Sequence, residues 1–290
     1  MIKMLGKIIA ALCCFLFVSA AAYAGTLTIE GESKVNFTLK EDKVLIEGTY
    51  DIANHGDETA QNVFPLFELG SWKWAGEGRS IGAGKSESWT VKESIGADRL
   101  GCIVGRDCNL KPPAPKGYFA VRVLRMYEDT NGHPFSAPDV LRTYLGDIDG
   151  EDRAALRVPS LVQTITCGGN GQNFDCDVLL KNTSSSPLTV TVSLQTTREL
   201  EIEGEPQTSD IAPGASREIS WQLKNFNGLS GSTYPVLSIA EWEDKGLRNS
   251  LLGSAPIAIE EISHATLYLV LGGLSFVLAL GLLYFFVFKK

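Results

Sequence analysis

Three segments in the first half of this chain recur, in the same order, in the second. YDIANHGDETAQNV (50–63) is matched by VLLKNTSSSPLTVTV (178–192), IGAGKSESW (81–89) by IAPGASREISW (211–221), and YFAVRVLRMYEDTNGHPFSAP (118–138) by TYPVLSIAEWEDKGLRNSLLGSAP (233–256). The shared anchors are Trp89 with Trp221, Tyr127-Glu128-Asp129 with Trp242-Glu243-Asp244, and Ser136-Ala137-Pro138 with Ser254-Ala255-Pro256. A tandem duplication is a tight constraint, because one unit of roughly a hundred residues must close its own core twice.

Inside each copy the apolar period is two. Val35, Phe37 and Leu39 share one parity, Val44, Ile46, Tyr50 and Ile52 another, and Leu188, Val190, Val192 and Leu194 repeat the pattern. Alternation of this kind marks half-buried strands. Between the strands stand turn compositions: Asn54-His55-Gly56-Asp57, Asn131-Gly132 and Ser184-Ser185-Ser186-Pro187. No useful helical period precedes residue 265. The chain is therefore expected to be all-β, with two tandem immunoglobulin-like β-sandwiches of about seven strands each.

The repeat also decides how Gly82-Ala83-Gly84-Lys85-Ser86 is read. A phosphate-binding loop needs glycine where this chain has Arg79, and a helix where it has a strand containing Trp89. The second copy keeps the turn as Ala212-Pro213-Gly214 and drops the lysine. What both copies keep is a tight glycine turn feeding a strand with an inward tryptophan, which is architecture and not nucleotide chemistry.

The two ends set the expected location. Lys3 and Lys7, an apolar run from Ile8 to Val18 and the small residues of Ala22-Tyr23-Ala24 predict a signal peptide over 1–24. Ala265 to Phe288 carries no charged residue and is followed by Lys289-Lys290. As a helix that run covers roughly 36 Å, enough for a transmembrane segment over 265–288, with the cytoplasmic tail at 289–290. Residues between are expected to be extracytoplasmic, periplasmic or at the cell surface. They carry 22 basic against 34 acidic residues, a net −12, because Lys3, Lys7, Lys289 and Lys290 lie in the ends. Such a surface repels nucleic acid and anionic headgroups.

Four cysteines remain after processing, Cys102, Cys108, Cys167 and Cys176, an even count suited to disulfides in an oxidising compartment. Local pairing is the simplest of three connectivities. Zinc is the rival reading, but His55, His133 and His264 lie far apart and neither cysteine pair has C-x-x-C spacing. No cofactor is expected.

In layout the chain resembles the tandem immunoglobulin-like domains of bacterial envelope proteins of the cell-adhesion-related type. A strand with a polar turn at Asn54 or Asn182 precedes a later hydrophobic-x-Pro-Gly turn, and Ala83 departs from that pattern where Pro213 keeps it. The resemblance covers Gly25 to Glu260 and implies a fold and a display or binding role, with no catalytic residue. The expected divisions are an outer sandwich over 25–146, an acidic linker over 147–153, and a membrane-proximal sandwich over 154–262. Asp147-Ile148-Asp149-Gly150-Glu151-Asp152 fails the EF-hand spacing for calcium and reads as a solvated joint.

Because features shared by both copies serve the fold, candidates for function are features of one copy. Trp72 and Trp74 fall on one face of an extended strand; exposed, they would stack on a sugar or anchor a protein, and buried, they are core. The insert from Cys102 to Lys116 ends in a stiff, extended run with Lys111, Pro112, Pro113 and Lys116. No catalytic constellation emerges. Glu128 and Asp129 are adjacent on a strand and point to opposite faces, and no serine or cysteine is placed near a histidine. The expectation is a non-enzymatic, membrane-anchored envelope protein that binds or scaffolds an extracytoplasmic partner protein. The alternative is a carbohydrate-binding accessory of a glycan system.

Overall fold

The computed structural model describes residues 26–100, 116–146, 160–169, 171–244 and 246–260. The expected signal peptide, the Cys102–Cys108 loop with Lys111, Pro112 and Pro113, the linker 147–153 and the run 265–288 lie outside the described residues. Among the described residues no helix is long and apolar enough to cross a membrane.

The first half forms nine strands: β1 (Ile29–Ser33), β2 (Asn36–Lys40), β3 (Lys43–Asn54), β4 (Ala60–Leu69), β5 (Trp72–Ala75), β6 (Arg79–Ile81), β7 (Ser86–Gly96), β8 (Gly117–Glu128) and β9 (Pro134–Leu145). β1 and β2 pair with the two ends of β3, which pairs with β7. The facing sheet runs β9, β8, β4, with β5 and β6 both on β4. The second half supplies β10 (Leu161–Gly169), β11 (Asn173–Asn182), β12 (Leu188–Thr196), β13 (Leu200–Glu203), β14 (Gln207–Ile211), β15 (Ser216–Asn225), β16 (Thr233–Asp244) and β17 (Leu247–Ala258). There the order β10-β11-β15 with β13 faces β14-β12-β16-β17. Both halves thus follow the pairing scheme of an immunoglobulin-type sandwich, β3-β7 with β1 and β2 facing β4-β8-β9, and β10-β11-β15 facing β12-β16-β17, in nine and eight strands where about seven each were expected. They differ in two places: the edge strand is split into β1 and β2 where β10 is continuous, and β5 joins β4 whereas β13 crosses to β15.

The alternating apolar residues fill two separate cores. Val44, Ile46, Tyr50 and Ile52 are fully buried in the first, and Leu188, Val190, Val192 and Leu194 line the second. Trp89 and Trp221 both enter the cores, and each indole N–H donates to a loop carbonyl, Glu77 O at 2.8 Å and Glu205 O at 3.4 Å. They are not register equivalents. Trp89 faces Tyr50 and Trp221 faces Cys176; counted from the glycine turn, Ile219 occupies the place of Trp89, so the second tryptophan sits one pleat further along.

The turn at Gly82 to Lys85 leads into β7, and no helix follows it. Lys85 N donates to Gly82 O at 3.1 Å and Gly84 has φ +66°, while Ala215 N donates to Ala212 O at 3.0 Å and Gly214 has φ +72°. Both are turns with positive φ at the third position only, the type II form, where glycine is needed there and proline suits the second position. Cys167 and Cys176 face each other across β10 and β11 and form a disulfide.

Candidate functional site

The sandwiches do not stand apart. The outward face of β12, Thr191, Ser193 and Gln195, looks like a solvent face in sequence but is buried, Ser193 and Gln195 against the first sandwich and Thr191 bonded to Thr208 of β14. Gln195 Nε2 donates to Val123 O at 3.2 Å, and the Arg122 guanidinium donates to Ser193 Oγ. At the edges, β17 and β8 share one parallel bridge, Arg248 with Gly117, that joins two sheets into nine strands. Gly117 has φ +123°, and a Cβ there would lie 2.0 Å from Arg248 O, so only glycine lets the strands meet.

Arg248 is the centre of this junction. Its backbone N donates to Lys116 O at 2.8 Å and its Nη1 to Leu100 O at 2.8 Å. Its Nη2 reaches Glu241 Oε1 at 2.7 Å, and its Cζ lies 4.8 Å from the Phe119 ring centroid. Leu100, just before the Cys102–Lys116 insert, and Lys116, its last residue, are therefore both held by one arginine of the other sandwich.

At the opposite end of the interface the sandwiches leave a cleft of about 710 Å³. One wall is the β8–β9 hairpin end, with Tyr127, Asp129 and Phe135; the other is the loop after β12 and the start of β16, with Glu199 and Tyr234. Tyr127 and Phe135 stack with centroids 5.7 Å apart and planes at 21°. Ser136 bridges the walls: its N donates to Glu199 Oε1 at 3.3 Å, and its Oγ accepts from Arg198 N at 2.8 Å.

Among the described residues three carboxylates line this cleft, and no lysine, arginine or histidine does. Two of the three are engaged by the hairpin. Asp129 Oδ1 accepts from Asn131 N at 2.9 Å and His133 N at 2.8 Å, and its Oδ2 meets His133 Nδ1 at 2.9 Å. These hydrogen bonds hold its carboxyl below the usual range against the opposing effect of burial. Glu58 accepts from Thr130 Oγ1. Glu199 differs: it is 2% exposed, and its Oε2 is buried with no hydrogen-bond partner among the described residues. Burial pushes its carboxyl up, opposed by weaker hydrogen bonds and by Arg198. Burial, with the Glu199 charge second, pushes the Tyr127 phenol up to about 12.

The candidates read from sequence fall elsewhere. Trp72 is a core residue, 4% exposed, which corrects its expected role as a ligand platform. Trp74 is half-buried and packs edge-on against Phe67 with centroids 5.7 Å apart. The pair does not form the open, coplanar surface that sugar stacking needs. Lys116 is exposed but contributes its carbonyl to the junction. Asn182 of the triplet Asn182-Thr183-Ser184, which matches the pattern of a glycosylation acceptor, is fully buried with its amide donating to two carbonyls, so it is no glycan acceptor in the folded chain; Asn36 of the like triplet Asn36-Phe37-Thr38 is exposed. Glu199 was missed: it lies in the loop joining β12 to β13, whose counterpart in the first copy, Gly70-Ser71, carries no charge.

No family model matches this chain, and no curated protein matches it. Solved structures with remote likeness include the YadV chaperone, at 13% identity and TM-score 0.28 over 80% of this chain and 99% of that one. A FixG-related protein from Vibrio parahaemolyticus aligns at 13% identity and TM-score 0.30, over 36% of this chain and all of that one. A Salmonella alpha-2-macroglobulin mutant aligns at 9% identity and TM-score 0.31 over 82% of this chain and 16% of that one. Likenesses this remote carry no functional argument. The class the described residues define is an all-β protein of two docked sandwiches with a cleft between them.

Proposed function

We propose that this chain is a non-enzymatic, membrane-anchored envelope protein whose paired sandwiches bind an extracytoplasmic partner protein. The observation that carries this reading is the cleft between the sandwiches. It is concave, aromatic on both walls and set on strands whose relative position is fixed by a buried interface, which is what a preformed recognition site requires. Its polar groups do not assemble a reaction centre. His133 and Asp129 close a hairpin turn, and among the described residues no histidine lines the cleft beside Glu199 and its neighbouring hydroxyls, Thr197 and Ser136. The leader and the 265–288 run support placement at a membrane, with the sandwiches outside.

A photo-crosslinking residue introduced at Thr130 or Leu229, on the cleft rim, should capture a discrete protein in intact cells. The same residue at Glu93, on the far sheet, should not. Capture of glycan alone from the rim positions, or equal capture from all three, would count against this reading.

A further inference from the structure

We propose that the cleft between the sandwiches is a recognition site for a cationic side chain, an ammonium or guanidinium carried on a partner polypeptide, with Glu199 as its anion. The inference rests on the partner-binding reading and specifies its chemistry.

The charge census of the lining is one-sided, with Glu58, Asp129 and Glu199 and no base among the described residues. The hydrogen bonding then separates them. Asp129 and Glu58 Oε1 are engaged in shaping the β8–β9 hairpin, while Glu199 brings a carboxylate oxygen, Oε2, into the buried interface beside the Thr197 hydroxyl, with no charged donor on it among the described residues. A buried, unpaired acceptor is costly unless something donates to it, and a charged donor gives the strongest such bond. The stacked Tyr127–Phe135 pair and Tyr234 add aromatic faces and edges against which the carbon stem of a lysine or arginine would pack and its cation be attracted. A volume of about 710 Å³ holds one long side chain with part of its backbone. The groups that act on Glu199 are Thr197 and Arg198 beside it and the Ser136 backbone, and its charge is felt by Tyr127 of β8 and Tyr234 of β16. Arg198 is exposed, and its backbone, not its guanidinium, is what Ser136 holds. Burial raises the proton affinity of Glu199, and a cation arriving there would oppose that rise.

The test is calorimetry on the full chain in detergent, with three blocked hexapeptides of one sequence bearing a central lysine, acetyl-lysine or glutamate. The lysine peptide should bind and the other two should not. Glu199→Gln should weaken the lysine peptide about tenfold or more, the loss of one charge-assisted hydrogen bond, while Glu87→Gln on the far face leaves binding unchanged. Repeating the wild-type titration at successively lower pH in buffers of different ionisation enthalpy should show linked proton release that grows as the pH falls, a readout that does not need the variant to fold. Equal binding of the acetyl-lysine peptide, binding indifferent to Glu199→Gln, or no binding of the lysine peptide would each overturn the assignment. Rim crosslinking to a protein would in that case still leave the partner-binding reading standing.

Discussion

Asn54 and Asn182 are buried equivalents that close the same turn in the two sandwiches. Asn54 Nδ2 donates to Glu58 O at 2.7 Å and Ile81 O at 3.0 Å, and its Oδ1 accepts from Gly56 N at 3.0 Å. Asn182 repeats each bond, to Ser186 O at 2.8 Å, Ile211 O at 2.9 Å and from Ser184 N at 2.9 Å. Its backbone carbonyl receives the glycine of the type II turn, as that of Asn54 does. Asparagine is required because the site needs two donors and one acceptor from a single flat group.

Replacing either asparagine by alanine should therefore cost about 3 kcal/mol, three lost bonds with buried carbonyls left unsatisfied. Urea titrations followed by tryptophan fluorescence should give similar losses for Asn54→Ala and Asn182→Ala. Aspartate at either position should not rescue, since it keeps the acceptor and removes both donors. A loss confined to one copy would break the equivalence.

The type II turns make a second, smaller prediction. Pro213 already occupies the position that Ala83 holds in the first copy, so Ala83→Pro should fit without strain and stabilise by about 0.4–1 kcal/mol through the unfolded chain. Gly84→Ala meets no atom within 4 Å but must adopt φ +66°, and should destabilise by roughly 1 kcal/mol. Thermal melts of the two variants should move in opposite directions.

The sequence disclosed the parts of the fold that obey a local rule. Strand parity placed Val44, Ile46 and Ile52 inside, and the repeat identified the glycine turn as architecture. It could not disclose the docking of the sandwiches. Ser193 and Gln195 alternate with apolar residues as a solvated face would, and only the arrival of Arg122 and Val123 from far along the chain buries them. Trp72 misled for the converse reason, since an aromatic in one copy only is as easily a local core substitution as a binding device. Glu199 lay in a loop where nothing in its neighbours announces that Ser136, some sixty residues earlier, covers it.

Arg248 should be the costliest interface residue to lose. Arg248→Met removes the hydrogen-bonded counter-charge of Glu241, 6% exposed, leaving it only the Coulombic attraction of Arg122, and leaves Leu100 O without a donor, a loss of about 3 kcal/mol. Adding Glu241→Gln should recover much of it, because the penalty lies in the unpaired buried charge. Equilibrium unfolding of the single and double variants checks both the size of the loss and the recovery.

The Cys167–Cys176 bond ties an outer strand to its neighbour over a sequence separation of 9. A loop so short should contribute about 2–3 kcal/mol. Paired substitution by alanine should lower the melting temperature of the second sandwich, reported by Trp221 and Trp242. Adding a reductant to the wild-type chain should reproduce that shift, and adding it to the substituted chain should do nothing further.

Glu199 makes stability depend on pH in a direction opposite to most carboxylates. Asp51, Asp57 and Asp129 are held below their ordinary values by hydrogen bonds, so what they contribute is present at neutral pH and lost as pH falls through those lowered values. Glu199, raised by burial, binds its proton more tightly folded than unfolded. Its contribution is present below the ordinary glutamate value of about 4.3 and is lost as pH rises through the higher folded value. The difference in unfolding free energy between Glu199→Gln and the wild-type chain isolates this one group. That difference should be flat below about pH 4, rise in favour of the glutamine variant across the window above it, and level off once the folded carboxyl is ionised. Occupation of the cleft by a lysine peptide should shrink the difference at neutral pH, because the cation then supplies the charge that the empty site lacks; a difference constant from acid to neutral pH would show that Glu199 titrates as an ordinary surface group.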